Sequence, residues 1–319
     1  MSASIGTNTL RLLVAEMGDI DSGHKCPLLQ PLVVKRIITR LGGDFKEDVG
    51  IAETSIERAV DALKVFANII KEQDVKDVFA FATSVVRRAK NKDKFIKRVF
   101  DETGIKINII SGDEEAGLSL LGVLSVIKNK NEKCLVIDIG GGSTEFIAVE
   151  NDKMFGAWSM EMGVVHLTEE YLKSDPPAKN ELNAMEREIN GVIKKLKDLM
   201  NRDLPSAFSL LPCASFVGTA GTITTLAAID QNLETYAPEK VNNYVLDYDS
   251  VKRIYNHLSS LPLKERQKIL SLEKGREDLI IPGAAIVLKT MDVFGFDSIT
   301  VSDAGLLEGI LLKKVIGNR

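Results

Sequence analysis

Three adjacent acidic residues, Asp113, Glu114 and Glu115, follow an apolar stretch in the segment "IISGDEEAGLSLLGVL". Acids are common in the first turn of a helix, because they cap free N–H groups and complement the helix dipole. Three carboxylates exceed what capping needs, and the strand-to-helix junction of an α/β domain is where ligands usually bind. A carboxylate at such a junction can orient a water molecule and deprotonate it for attack on phosphorus.

A glycine-rich segment offers a suitable partner for a phosphate. "LVIDIGGGSTEFIAVE" places Gly140, Gly141, Gly142, Ser143 and Thr144 between two apolar strands. Backbone N–H groups and small hydroxyls suit phosphate oxygens, because a Cβ atom at these positions would hold the anion away. The segment therefore predicts a phosphate-binding turn, with Asp138 and Glu145 beside it. The structural alternative is a plain glycine hairpin.

The same pattern occurs earlier in the chain. Setting Gly6 over Gly140 aligns "SIGTNTLRLLVAE" with "DIGGGSTEFIAVE" at a constant offset of 134 residues, which brings Thr7 and Asn8 into the first turn. Both copies read as a strand, a turn of glycine and hydroxyl residues, and a second strand. The repeat predicts two related domains.

A third glycine turn lies in "FVGTAGTITTLAAI", after an apolar strand and before a predicted helix. Backbone N–H groups and the helix dipole attract anions in this context. Gly218, Thr219 and Gly221 are therefore further candidates for phosphate contacts, although this turn alone is a weak signal.

Seven basic residues lie between Arg87 and Arg98, and only Asp93 opposes them. Such a run usually forms the solvated face of a helix. Arg87 is singled out because it follows the end of a predicted strand and its planar guanidinium suits phosphate oxygens. We expect a long anionic chain to lie along this run.

Strand and helix patterns alternate around these motifs, which predicts an α/β fold. The first half predicts helices at 56–72, 93–103 and 113–128, with strands at 77–85 and 105–110. The second half predicts a helix at 181–201, a strand near 215, a helix after 221, a strand at 298–303 and a helix at 305–317.

The polar segment "KNKNE" at 128–132 is the expected domain boundary, which gives domains at 1–128 and 129–319. The terminal helix, at about 304–316, is a candidate to pack back on the first domain.

The composition is that of a soluble globular protein, with 319 residues, 45% hydrophobic and 27% charged. The net charge of −4 argues against general nucleic-acid binding. The longest apolar stretch is interrupted by Pro282, and the N-terminus does not resemble a signal peptide, so we expect a cytoplasmic protein without a membrane span. The cysteines and histidines lack the spacing of a disulfide framework or a zinc site: Cys26, Cys134, Cys213, His24, His166 and His257.

Taken together and in their order along the chain, the motifs resemble those of the exopolyphosphatase and guanosine pentaphosphate phosphohydrolase family. This family is a branch of the superfamily of actin, the heat-shock chaperones and the sugar kinases. The two motifs that are specific to the family are "IISGDEEA" and "IDIGGGSTE". The family's order is also followed by six further motifs: "TRLGG", "ATSVVRRAKN", "MGVVHLTEEY", "GTAGTITTLAA", "IPGAAIVL" and "VSDAGLLEG". The resemblance implies two duplicated actin/ribonuclease-H-like α/β domains, with an active site in the cleft between them.

The resemblance also implies roles for individual residues. Glu115 corresponds to the family's catalytic carboxylate, and Asp138 and Glu145 correspond to positions associated with magnesium and with placing the attacking water. Arg87 stands where the family uses an arginine toward the phosphate chain. The turns at Thr7 to Asn8 and at Gly140 to Thr144 would bind phosphate.

The chain departs from the family pattern at the first turn. The family reads Asp-x-Gly-(Ser/Thr)-Asn-(Ser/Thr), and the internal repeat also places an acid there, yet this chain has Ser4. Either the acid has been lost, or two residues are missing before the glycine. Two arginines that are frequent in the family are replaced by Gly117 and Leu307.

We therefore expect an enzyme that removes the terminal phosphate of inorganic polyphosphate, or of guanosine pentaphosphate, with Mg²⁺ as the cofactor. No nucleic-acid or membrane partner is expected, and because related proteins often dimerise, the resemblance makes a homodimer possible. Two alternatives remain open. One is a small-molecule kinase of the same superfamily, and the other is a non-catalytic regulator that binds a guanosine alarmone or another nucleotide, which Ser4 keeps open.

Overall fold

Strands and helices alternate along both halves of the chain, as the apolar periodicity predicts. The computed structural model describes residues 1–18, 29–128, 133–204 and 214–317. It divides into unit 1, Met1–Ser125 with Ala304–Arg319, and unit 2, Val126–Asp303. The terminal helix, which the sequence-based ranges give to the second domain, thus groups with unit 1. His24, Cys26, Cys213 and all of "KNKNE" except Lys128 lie outside the described residues.

The first part of unit 1 contains five strands and four helices within the described ranges. In chain order they are β1 (Ser2–Ile5), β2 (Thr9–Met17), β3 (Leu29–Ile38), α1 (Glu53–Glu72), β4 (Phe79–Ala82), α2 (Ser84–Arg88), α3 (Lys92–Thr103), β5 (Ile107–Ile109) and α4 (Gly112–Val126).

Unit 2 follows with a second set of strands and helices, and one more helix returns to unit 1. They are β6 (Lys133–Ile139), β7 (Thr144–Glu150), β8 (Lys153–Met160), α5 (Val164–Tyr171), α6 (Lys179–Asp203), β9 (Ser215–Thr219), α7 (Ala220–Asp230), α8 (Pro238–Val241), β10 (Val245–Asp247), α9 (Tyr248–Ser260), α10 (Leu263–Arg266), α11 (Ile280–Phe294), β11 (Ser298–Val301) and α12 (Leu306–Gly317).

The two sheets share one topology. Unit 1 has the strand order β3-β2-β1-β4-β5, and unit 2 has β10-β11-β9-β6-β7-β8. In each, a three-stranded antiparallel meander comes first, and its first strand then pairs in parallel with the next strand of the sheet. The five strands β8-β7-β6-β9-β11 reproduce those of unit 1 in order and direction, and β10 adds an antiparallel edge. The predicted duplicated α/β fold is confirmed.

Both faces of the unit 1 sheet are covered. On one face, α1 packs its buried stripe, which includes Ile56, Leu63 and Phe66, against the sheet. On the other, α12 contributes Leu306 and Ile310 to a cluster with Leu118 of α4. Burying each such side chain contributes about 1.5–3 kcal/mol, so unit 1 depends on a helix from the far end of the chain.

The α4 and α12 helices touch at their backbones. A Cβ atom added to Gly309 would lie 1.7 Å from the carbonyl oxygen of Leu118, and one added to Gly122 would lie 1.9 Å from that of Gly305. Glycine at these positions permits a contact that no larger residue allows.

In unit 2, α6 buries one face at helical spacing, with Met185, Ile189 and Ile193 fully inside the core. The same cluster includes α11 and the inner faces of β6 and β7. None of the helices in the described ranges is both long and apolar enough to cross a membrane.

Three predicted strands proved too long: 77–85, 105–110 and 298–303 correspond to Phe79–Ala82, Ile107–Ile109 and Ser298–Val301. The sequence predicts a strand through Val85, but β4 ends at Ala82 and α2 begins at Ser84. Thr83 is the N-cap of that helix, so the β-branched valines that suggest a strand lie in a single helical turn instead.

Candidate active site

Both predicted phosphate turns are hairpin connections that close in the same way. The Gly6 N–H donates to the Thr9 carbonyl oxygen at 3.2 Å, and the Gly140 N–H donates to that of Ser143 at 2.9 Å. A Cβ atom on either glycine would lie 2.9 Å from the same oxygen. The tightness of the hairpin therefore explains the first glycine of each turn without a ligand.

The next two glycines of the second turn are oriented by α5. The carbonyl oxygens of Gly140 and Gly141 accept hydrogen bonds from the N–H groups of Val164 and Val165, at 3.1 and 2.9 Å. In a trans peptide the N–H points opposite to the carbonyl, so the N–H groups of Gly141 and Gly142 point away from α5. No backbone acceptor for either is found within the described part of the chain. Two neighbouring donors are thus available to an anion.

Gly163 holds this orientation in place. Its Cα lies so close to the turn that an added Cβ would be 2.2 Å from the Gly141 oxygen and 2.4 Å from the Gly142 carbonyl carbon. Gly163 is also the N-cap of α5. The segment after β8 therefore packs against the second turn and supports it.

The first turn is supported by the loop after β3. The Thr7 carbonyl accepts from the Gly42 N–H at 2.8 Å, and the Asn8 carbonyl accepts from the Thr39 N–H at 3.0 Å. The Asn8 side chain is 5% exposed, and its Nδ2 lies 3.3 Å from Thr9 Oγ1. Asn8 Oδ1 and Thr39 Oγ1 are buried and have no hydrogen-bond partner among the described residues.

The two acids beside the second turn are direct neighbours. Asp138 on β6 pairs with Glu145 on β7, so their side chains emerge on the same face of the sheet. The same row continues to Thr219 on β9 and to Ser159 on β8. Asp138 is 8% exposed and Glu145 is 2% exposed, so two carboxylates lie side by side in a nearly closed environment.

Glu145 is fixed by two hydroxyl groups. Ser143 Oγ donates to Glu145 Oε1 at 2.7 Å, and Ser159 Oγ donates to the same oxygen at 2.8 Å. Sequence reasoning missed Ser159, because only the register of β7 with β8 brings it opposite Glu145.

The donor set at Asp138 and Glu145 fits a hard divalent cation. Adjacent buried carboxylates repel each other, and oxygen ligands are what Mg²⁺ prefers. Within the described ranges, no group of three or more His, Cys, Asp or Glu residues could hold a metal ion. Mg²⁺ typically uses one or two carboxylates and completes its shell with water and substrate phosphates, so two acids suffice.

The acid cluster on α4 divides into different roles. Ser111 Oγ accepts from the Glu114 N–H at 3.1 Å, and Glu114 Oε2 accepts from the Ser111 N–H at 2.9 Å. This is a capping box, and its hydrogen bonds, first the backbone bond from Ser111, lower the pKa of Glu114. The capping interpretation therefore applies to Glu114.

Glu115 is held differently. It is 9% exposed, and Arg87 Nη1 donates to Glu115 Oε2 at 3.2 Å. The same nitrogen donates to the Ile110 carbonyl oxygen at 2.8 Å. Two residues that the sequence singled out separately thus form one ion pair in unit 1, with the arginine on α2 and the acid in the first turn of α4.

Four of the six other basic residues in the run form ion pairs on an exposed face of unit 1. Arg88 pairs with Glu47, Lys94 and Arg98 both pair with Glu53, and Lys97 pairs with Asp101. These acids neutralise much of the run, so it offers less support for a long anionic chain than the sequence suggests.

In the third glycine turn, Gly218 and Gly221 both lie close to side chains of other segments. A Cβ on Gly218 would lie 2.6 Å from the Ile299 side chain, and one on Gly221 would lie 2.3 Å from Arg276 Nη1. The Arg276 guanidinium thus lies over the start of α7, a position that sequence spacing does not reveal. Thr219 remains at the site through its place beside Asp138.

Thr144 also has an internal role. Its hydroxyl donates to the Met162 carbonyl oxygen, and the residue is fully buried. Its side chain therefore points into the interior of unit 2, on the sheet face opposite Glu145.

The predicted site residues form two sets, one in each unit. Unit 1 contains the first turn and the Arg87–Glu115 pair. Unit 2 contains the second turn, the two adjacent acids and the third turn. Each set combines hydrogen-bond donors that can bind an anion with a buried carboxylate, and such groups are suited to chemistry on phosphate.

Comparison with known proteins gives a consistent result. The sequence model of the Ppx/GppA phosphatase family matches residues 17–316. The chain is 35% identical to the bifunctional 3-dehydroquinate synthase/phosphatase of Fusobacterium nucleatum, over 98% of this chain and 46% of that protein. It spans less than half of that relative. It is 30% identical to exopolyphosphatase 2 of Mycobacterium tuberculosis, over 96% of this chain and 95% of that one.

Solved structures agree. A Ppx/GppA family member from Aquifex aeolicus superposes with a TM-score of 0.80 at 33% identity, covering 100% of this chain and 97% of that one. An exopolyphosphatase from Cytophaga hutchinsonii gives a TM-score of 0.87 at 28% identity, covering 99% and 97%.

Proposed function

The chain belongs to the Ppx/GppA phosphatase family, and on this premise we propose that it releases the terminal phosphate of inorganic polyphosphate by magnesium-assisted hydrolysis. Guanosine pentaphosphate, converted to the tetraphosphate, is the second substrate to test. The observation that carries the proposal is the environment of Glu115, which is almost buried, paired with Arg87 and not used as a helix cap.

In the proposed reaction, Glu115 accepts a proton from a water molecule as the water oxygen attacks the terminal phosphorus. The bond from that phosphorus to the bridging oxygen breaks, and its electron pair stays on the remaining chain. The products are inorganic phosphate and a chain that is shorter by one phosphate. General base catalysis of this kind typically contributes about 10²–10⁴-fold.

The other residues bind and orient the phosphate. The N–H groups of Gly141 and Gly142 would hold its oxygens, and Arg87 would contribute the N–H groups that it does not give to Glu115 and Ile110. Asp138 and Glu145 would hold Mg²⁺, which when bound offsets negative charge on the phosphoryl oxygens.

The test is phosphate release by the purified protein with Mg²⁺, with polyphosphate, guanosine pentaphosphate and ATP offered separately. Glu115→Gln should lower kcat by about 10²–10⁴-fold and change KM little, because the lost group acts mainly in the transition state.

Glu114→Gln is the matched control. It removes a charge at the neighbouring position, but glutamine can keep the capping box, so turnover should stay close to that of the parent. Equal turnover of Glu115→Gln and the parent would remove Glu115 from its role as base.

The substrates separate the remaining alternatives. Phosphate that appears on an acceptor and only with ATP would identify a kinase. Binding of guanosine pentaphosphate without release of phosphate from any of the three compounds would identify a non-catalytic binder.

A further inference from the structure

A row of polar side chains crosses one face of the unit 2 sheet at the level of the second turn. Pairing across the strands aligns Thr219 on β9, Asp138 on β6, Glu145 on β7 and Ser159 on β8. Within the described ranges β8 is the last strand on this side of the sheet, so the row ends at Ser159. A serine hydroxyl thus lies directly beside Glu145, one of the two acids that the proposed function assigns to a divalent cation.

The position of Ser159 in this row is fixed by its neighbours in the chain. Trp158 and Met160, on either side of it, both pack against the unit 2 core. Successive side chains of a strand point to opposite faces, so Ser159 lies on the face that carries Glu145. A slip of β8 by one residue would take both apolar side chains out of the core, and the register is therefore strongly specified.

Two hydroxyl groups converge on one oxygen of Glu145. Ser143 Oγ donates to Glu145 Oε1 at 2.7 Å, and Ser159 Oγ donates to the same atom at 2.8 Å. An ionised carboxylate has about four lone-pair sites, about two on each oxygen, so these two donors take up the acceptor capacity of Oε1. A cation beside Glu145 would then be bound through Oε2, by one oxygen and not by both.

The number of oxygens that a carboxylate gives to a cation affects which cation it suits. Ca²⁺ takes about six to eight oxygen ligands in a flexible geometry and uses carboxylates through one or both oxygens, whereas Mg²⁺ demands nearly ideal octahedral geometry. We infer that Ser159, together with Ser143, restricts Glu145 to coordination through one oxygen and so favours small octahedral cations over Ca²⁺. Ser159 is in this role a positioning residue that acts through Glu145. The inference rests on the proposed function, in which Asp138 and Glu145 hold the cation.

Ser159 allows this role to be tested apart from phosphate binding. Ser143 lies within the second turn, between Gly142 and Thr144, so its replacement would alter the turn as well as Glu145. Ser159 belongs to a different strand and is exposed at the edge of the sheet. Substitutions at such positions usually change stability little, and β-branched residues suit a strand.

The test compares Ser159→Thr with Ser159→Val. The two side chains have nearly the same shape, but only threonine can donate a hydrogen bond to Glu145. The second methyl group of valine also occupies the space in which a water molecule could replace the lost hydroxyl. Both variants should unfold within about 3 °C of the parent. Ser159→Ala is a second variant without the donor, and Asp138→Asn shows whether the titrated cation binds at these acids.

The measurement is calorimetric titration with Mn²⁺, as a probe for small octahedral cations, and separately with Ca²⁺. The ratio of the two dissociation constants gives the preference of each protein for Mn²⁺. The parent and Ser159→Thr should have the same preference, and Ser159→Val should lower it by about tenfold, since hydrogen bonds to charged groups are among the stronger ones. Ser159→Ala should lower it in the same direction, and Asp138→Asn should weaken Mn²⁺ binding by at least about tenfold.

Equal preferences of Ser159→Thr and Ser159→Val would overturn the inference, and so would Mn²⁺ binding that Asp138→Asn leaves unchanged. The titrations do not involve turnover, so the two proposals can fail separately. Absence of phosphate release, with the preference lowered in Ser159→Val, would count against the proposed hydrolysis alone. Phosphate release by the parent, with equal preferences in the two variants, would count against the inference alone.

Discussion

Gly163→Ala tests whether the second turn needs its support from α5. The added Cβ would lie 2.2 Å from the Gly141 oxygen and 2.4 Å from the carbonyl carbons of Gly141 and Gly142. All of these are backbone atoms, which cannot turn aside as a flexible side chain can. The turn or the start of α5 must therefore shift by about 1 Å to restore a normal contact distance.

The size of the effect follows from that shift. Overpacking of this kind typically costs about 1–3 kcal/mol. At about 2–4 °C per kcal/mol for a domain of this size, Tm should fall by roughly 2–12 °C. If the Gly141 and Gly142 N–H groups hold phosphate, a misplacement of about 1 Å should also lower kcat/KM by about 10²-fold.

The assay compares thermal unfolding and phosphate release with a matched glycine variant. Gly191 lies in the exposed part of α6, and a Cβ there would meet nothing within 4 Å. Gly191→Ala should therefore raise stability by about 0.5–1 kcal/mol and leave turnover unchanged. A Gly163→Ala protein with the Tm and kcat/KM of the parent would refute the steric reasoning. A lowered Tm with unchanged kcat/KM would show that the turn does not hold phosphate.

Three further predictions concern the scaffold. Gly309→Ala, with its Cβ 1.7 Å from the Leu118 oxygen, should destabilise unit 1 by about 1–3 kcal/mol, seen as a lower urea midpoint. The pKa of Glu114 lies below its ordinary value of 4.5, so the ionised Glu114 side chain stabilises the fold above pH 4.5, and this contribution is lost as the pH falls through the lowered pKa. Glu114→Gln should therefore weaken the dependence of Tm on acid pH. The pKa of Tyr244 is raised from 10 to about 12, mainly by the hydrogen bond to Asp230 and secondly by burial. The folded state therefore holds this proton more tightly than the unfolded state does, so the free energy of unfolding should fall as the pH rises from 10 through about 12. Tyr244→Phe should remove that part of the alkaline decline, measured by urea unfolding at several pH values.

The duplicated architecture was predictable because it depends on local patterns. The alignment of Gly6 with Gly140 found two hairpins that close with the same hydrogen bond. The helical stripe of α1 and the glycine stop at Gly104 likewise follow from residue spacing and from the left-handed C-cap. Val85 misled the prediction, because β-branched residues favour strands, whereas a helix with Thr83 as its N-cap begins at Ser84.

The site was predictable in its residue types but not in its partners. Nothing local indicates that Arg87 reaches Glu115, whereas the Ser-x-x-Glu spacing of Ser111 and Glu114 is a local signature of a capping box. The serine opposite Glu145 depends on strand register, and the packing roles of Gly218 and Gly221 depend on side chains that are distant in sequence. These are tertiary contacts, and sequence spacing carries little information about them.

The position of α12 has a consequence for how the protein is made. Ile310 of α12 completes one apolar cluster of unit 1, and Leu311 completes another, yet both are synthesised after all of unit 2. While the ribosome is still translating, the nascent first domain must leave the corresponding sheet face bare, including Leu13 and Phe79. Completion of unit 1 therefore follows the synthesis of unit 2, and a chain truncated before residue 304 should expose an apolar sheet face and aggregate unless a chaperone binds it.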